Sequence, residues 1–79
     1  MVKENIFKSK SISLKAKGMY GTILAFKNEP YFSKQFLMDY LDMGAYSFRM
    51  AWNELKEQGY LEVNKKKENG AFVYEYKLH

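Results

Sequence analysis

The chain has 79 residues, no cysteine, 13 Lys plus Arg against 9 Asp plus Glu, and a formal net charge of +4. That length fits one domain with a modest core and no large active-site cavity, the apolar and aromatic content excludes a disordered chain, and the missing thiols exclude disulfides and thiolate metal sites. The longest apolar-looking run, Met19 to Phe26, is far too short to span a bilayer and no signal-type segment opens the chain, so the expectation is a cytoplasmic protein whose positive charge favours polyanionic partners.

Residues 1–12 form a mostly polar arm, in which Ile6, Phe7 and Ile12 are spaced to pin a short strand or extended segment to the core. Residues 13–79 form the domain proper. Ser13 is a good N-cap for a helix from Leu14 to about Phe26. At about 100° per residue, Ala16, Met19, Tyr20, Ile23 and Phe26 share one face. Leu14, Gly18, Gly21 and Ala25 share the opposite one. Two glycines weaken a helix by about 1 kcal/mol each, and close approach by another backbone would explain them. The arm, a neighbouring helix, a second copy of the chain or a replication-protein partner are the candidates for that face.

Pro30 closes this helix. Ser33 caps a second, with Phe36, Leu37, Tyr40 and Leu41 as its apolar stripe. Asp42-Met43-Gly44 is a tight turn, where Asp tolerates the left-handed conformation and Gly44 serves as the next N-cap. A third helix spans 45–58, with Phe48, Ala51, Trp52 and Leu55 on one face and Gly59 as its C′ residue. Residues 60–66 and 71–78 are β-rich and alternate in character. Asn69-Gly70, in the connection 67–70, is a strong hairpin signal. The fold class that follows is α+β, a winged helix-turn-helix, with three helices, a two-stranded wing hairpin and room for a short N-terminal strand completing the sheet.

Ser13-Leu-Lys-Ala-Lys-Gly-Met19 resembles the opening of the winged-helix domains in bacterial phage and plasmid replication-initiation proteins. Met43 to Leu55 is similar to their recognition helix, Gln58-Gly-Tyr-Leu61 to its exit, and Tyr74-Glu-Tyr76 to their closing wing strand. The likeness covers residues 13–78. Trp52 departs from the usual aliphatic residue and Asp42 from a common glycine. Larger proteins of that kind carry a further replication domain, and a chain of this length fits a small DNA-binding accessory or repressor better. The resemblance implies a role in replication initiation or transcriptional regulation.

A helix-turn-helix sets the N-terminal part of its second helix in the major groove. Opposite the core face of helix 45–58 lie Tyr46, Met50 and Asn53, flanked by Arg49. Arg49 has the planar fork for guanine O6 and N7, and Asn53 the amide for adenine N6 and N7. Tyr46 and Met50 suit thymine methyls or sugars, Ser47 suits a phosphate, and Ala45 opens the helix beside them. Glu54 and Glu57, expected to face outward, would repel phosphates, so the helix should enter N-terminus first. In the wing (64–71), Lys65, Lys66 and Lys67 form a basic edge for the backbone, with Asn69 at the tip and Lys34 as a further phosphate contact. Lys15 and Lys17 are secondary ones. Lysines also guard an edge strand against aggregation.

Duplex DNA is thus the favoured partner. Single-strand binding, as an accessory to a helicase or polymerase, is an alternative, because Phe72, Tyr74 and Tyr76 sit beside the basic edge and aromatics stack unpaired bases. Alternating aromatics on a strand are more often core, and core is the expectation for all three and for Trp52. A protein-interaction winged helix is the other alternative. No enzyme is expected: His79 is the sole histidine, and no catalytic constellation, metal-ligand spacing or phosphate-cradling glycine motif appears, so no cofactor is implied.

Overall fold

Two of the helices begin where the sequence supplies a serine hydroxyl to cap them. In the computed structural model, which describes residues 5–79, the Ala16 N–H donates to Ser13 Oγ at 3.1 Å and the Phe36 N–H to Ser33 Oγ at 3.0 Å. These bonds satisfy amide groups that the first helical turn leaves without partners. They open α1 (Leu14–Phe26) and α2 (Lys34–Leu41), and α3 (Ala45–Glu57) follows. Asp42 ends α2 in the left-handed region at φ 49°, and Gly44 opens α3 without a side-chain bond.

The exit from α3 is a Schellman turn. The Tyr60 N–H reaches Leu55 O at 2.9 Å and the Gly59 N–H reaches Lys56 O at 3.1 Å, with Gly59 at φ +79°. Leu55 and Tyr60, which flank this turn, are both buried. The chain leaves as β1 (Leu61–Glu68) and returns antiparallel as β2 (Ala71–Leu78), in a register running from Leu61 opposite Leu78 to Glu68 opposite Ala71. The loop is therefore two residues, Asn69-Gly70, shorter than the sequence suggested. Both have positive φ, 50° and 81°, the backbone that a right-twisted hairpin requires. Three helices followed by this hairpin make an α+β winged helix-turn-helix.

The core lies between α1 and α3 and is closed below by α2 and the base of the hairpin. Ala16, Met19, Ile23, Leu37, Phe48, Ala51, Trp52 and Leu55 are buried, joined by Tyr60 and Leu61. Each large apolar side chain here contributes about 1.5–3 kcal/mol. Trp52 stacks on Phe48 at 5.8 Å and meets Tyr76 edge-on at 6.0 Å, filling the space between α3 and the hairpin.

The arm differs from expectation. Residues 1–4 lie outside the described residues, and among those described the sheet has only two strands. Where a strand or extended segment was expected, Ile6–Lys8 forms a 3-10 turn capped by the Asn5 side chain, which accepts from the Phe7 N–H. Ile6 and Ile12 are buried as anchors. Phe7 is half exposed but lays its ring 3.6 Å from where a Gly21 Cβ would stand. The arm's side chain, not a backbone, thus approaches Gly21, and nothing lies within 4 Å of the equivalent point at Gly18.

Candidate nucleic-acid interface

The helical period that buries Phe48, Ala51, Trp52 and Leu55 turns another row of α3 outward. Ala45, Tyr46, Arg49, Met50 and Asn53 are exposed and Ser47 is partly so. Tyr46 and Met50 are 66% and 53% exposed, a large apolar area for a helix to leave in water. The Arg49 guanidinium lies 6.0 Å from the Tyr46 ring centroid, within cation–π range, and both remain on the outer face.

The α1 side of this helix is more organised than the sequence suggested. Lys15 Nζ donates to Ser47 Oγ at 3.1 Å, which leaves the serine proton free to donate elsewhere. Glu54 does not face outward. Its carboxylate accepts from the Ser13 N–H at 2.8 Å and from Ser13 Oγ at 2.7 Å. Ser13 Oγ thus accepts from Ala16 and donates to Glu54 at once. The acid sits at the positive end of α1, where a negative charge is favoured. Glu57 alone remains as an exposed acid near the end of α3.

The wing lysines do not form one edge. Side chains of a strand alternate between faces, so Lys65 and Lys67 share a face with Phe72 and Tyr74 while Lys66 lies on the other. Lys65 Nζ stands 4.0 Å over the Phe72 ring. Lys66 Nζ pairs with Glu75 Oε2 at 2.9 Å, and Lys77 Nζ approaches Glu75 Oε1 at 3.4 Å. The Lys66 hydrogen bond, then the charges of Lys66 and Lys77, hold the Glu75 carboxyl below the ordinary glutamate range, and Glu75 pushes Lys66 up. Asn69 is exposed at the tip.

The aromatics of β2 divide where the core ends. Tyr76 is partly buried against Trp52 and Phe32, and that burial pushes its hydroxyl above the usual tyrosine range. Phe72 and Tyr74, expected in the core, are 59% and 51% exposed. The hairpin outruns the helical body: burial falls off along both strands toward the tip. Inward-pointing residues of its outer half therefore lie past the buried core. Lys34 Nζ sits 4.8 Å over the Trp52 ring. With Lys56, Val63, Tyr74 and Tyr76, these two line a cleft of about 360 Å³. Lys56 was missed in the sequence, although it follows Trp52 by one helical turn.

No family model, curated protein or solved structure matches this chain. The winged-helix assignment therefore rests on the geometry above. The exposed α1 face carries a separate shallow groove of about 600 Å³, lined by Phe7, Leu14, Gly18, Gly21, Ala25 and Tyr40 among others. Among the described residues, no helix is long and apolar enough to cross a membrane.

Proposed function

We propose that the chain is a duplex-DNA-binding protein of bacterial or mobile-element type, working in the cytoplasm in replication initiation or transcriptional regulation. The N-terminal half of α3 enters the major groove, with Arg49 and Asn53 on base edges and Tyr46 and Met50 on methyls or sugars. Ala45 and Ser47, with the uncapped first turn of α3, take a phosphate. Lys34, Lys65, Lys67 and Asn69 hold the backbone, and Lys66 joins them when Glu75 releases it.

The observation that carries this reading is the outer row of α3. It is exposed, basic and apolar together, and Glu54 is withdrawn from it toward Ser13. A helix entering N-terminus first then meets phosphates without an acid until Glu57. The likeness of residues 13–78 to replication-initiation winged helices supports the role. Titrating the protein into random duplex DNA at several salt concentrations tests it. Affinity should fall with salt, by about 0.9 in the log–log slope for each phosphate held. No retention on duplex at low salt would sink the proposal. It would instead favour a protein-interaction role, with a second copy or a replication protein on the groove beside Gly18, Gly21 and Ala25, where Leu14 is 84% exposed.

A further inference from the structure

We propose that the cleft between α2, α3 and the hairpin seats an unpaired nucleotide of a single DNA strand, its base against Tyr74 and its phosphate held by Lys34 and Lys56. This goes beyond duplex recognition and does not depend on it. The cleft, at about 360 Å³, lies within the roughly 300–1,000 Å³ of small-ligand sites. Its walls are the rings of Trp52, Tyr74 and Tyr76, the methyls of Val63 and two lysines from different helices, with no acid among them.

That pairing of flat apolar walls with cations matches a ligand that is itself a flat ring joined to an anion. A base inside a duplex has both faces covered by its neighbours and cannot stack there. An unpaired base can. Tyr74 is half exposed, on the strand face that would be core if the helical body reached so far, and it borders both this cleft and a second one toward Glu29 and Pro30. Lys34 meets a π-cloud rather than a carboxylate, so no ion pair has to break for it to turn to a phosphate.

A strand fits better than a free nucleotide because the surface continues. Phe72 lies two residues from Tyr74 on the same face, is 59% exposed, and carries Lys65 over its ring at 4.0 Å. A second base and phosphate have a ready place there. Successive aromatics along a positive groove are how proteins hold single strands without reading their sequence.

Trp52 lines the cleft and is the only tryptophan, so its emission reports occupancy. The test titrates the 79-residue protein with a mixed-sequence 12-nucleotide single strand, a blunt duplex of that sequence and free dAMP. Trp52 emission and the anisotropy of labelled DNA are followed. The single strand should quench Trp52, and Tyr74→Ala should weaken single-strand binding by about tenfold, the scale of one lost base–aromatic stack. Tyr74→Phe should restore it, and duplex affinity should stay within about twofold in both variants. Lys56→Ala should weaken the single strand and make its salt dependence shallower by about 0.7 in the log–log slope, leaving the duplex slope unchanged. Because Tyr74 is exposed, thermal melting of each variant should match that of the parent chain. Equal weakening of strand and duplex by Tyr74→Ala would overturn the proposal, as would unchanged Trp52 emission at saturating single strand. So would dAMP binding as tightly as the strand, which would make a free nucleotide the occupant. Loss of duplex binding with these strand effects intact would remove the duplex reading and leave the cleft standing.

Discussion

Glu54 separates two accounts of α3. As an outward acid it would oppose DNA, and removing it would tighten binding at little cost to the fold. As the partner of Ser13 it ties α3 to the first turn of α1 through bonds of 2.8 and 2.7 Å. A hydrogen bond to a charged group contributes about 1.5–3 kcal/mol, and a helix cap about 0.5–2 kcal/mol. Partial exposure brings Glu54→Ala to the lower part of that span, about 1–2 kcal/mol. For a domain of this size, that lowers Tm by roughly 5–15 °C. Glu54→Gln keeps the shape and one acceptor but loses the charge, so it should fall between parent and alanine variant. Thermal unfolding by circular dichroism measures the shift, and duplex affinity well below Tm should change by less than about threefold. A Tm within about 2 °C of the parent, together with markedly tighter DNA binding, would refute the capping role.

The wing makes two further predictions. Lys65→Ala and Lys67→Ala should each reduce the salt slope for duplex DNA by about 0.9, while Lys66→Ala, already paired with Glu75, should reduce it less; Glu75→Gln should restore Lys66 to full weight. The depressed Glu75 pKa gives the pH dependence: the pair's contribution is complete above the ordinary value of 4.5 and is lost as pH falls through the lower folded value. A side-chain carboxyl NMR titration should place Glu75 below 4.5, and Lys66→Ala should move it back up. An unshifted Glu75 in the parent chain would contradict the pairing.

What the sequence disclosed was local. Ser13, Ser33, Asp42, Gly59 and Asn69-Gly70 act within a few residues of themselves, through caps and left-handed turns, and each stands where its chemistry predicts. The buried faces of α1 and α3 follow from their helical period alone. What escaped depends on residues far apart. Glu54 finds its partner 41 positions away, which no local pattern announces. Phe72 and Tyr74 alternate as core residues do, but alternation only says which way a side chain points, not whether anything stands opposite. The split between Lys66 and its neighbours was legible in the same period of two. Lys34 and Lys56 meet only once α2, α3 and the hairpin are assembled.

If the outer row of α3 reads base pairs, Arg49 is the side chain whose loss should change the sequence read. Selection of bound duplexes from a random pool, with single strands as competitor, should enrich a motif containing a fixed guanine. Arg49→Ala should lose that guanine, with discrimination falling by about 5- to 150-fold at that position, while the salt slope changes by no more than about one phosphate. An Arg49→Ala protein that enriches the same motif with the same affinity would contradict the account.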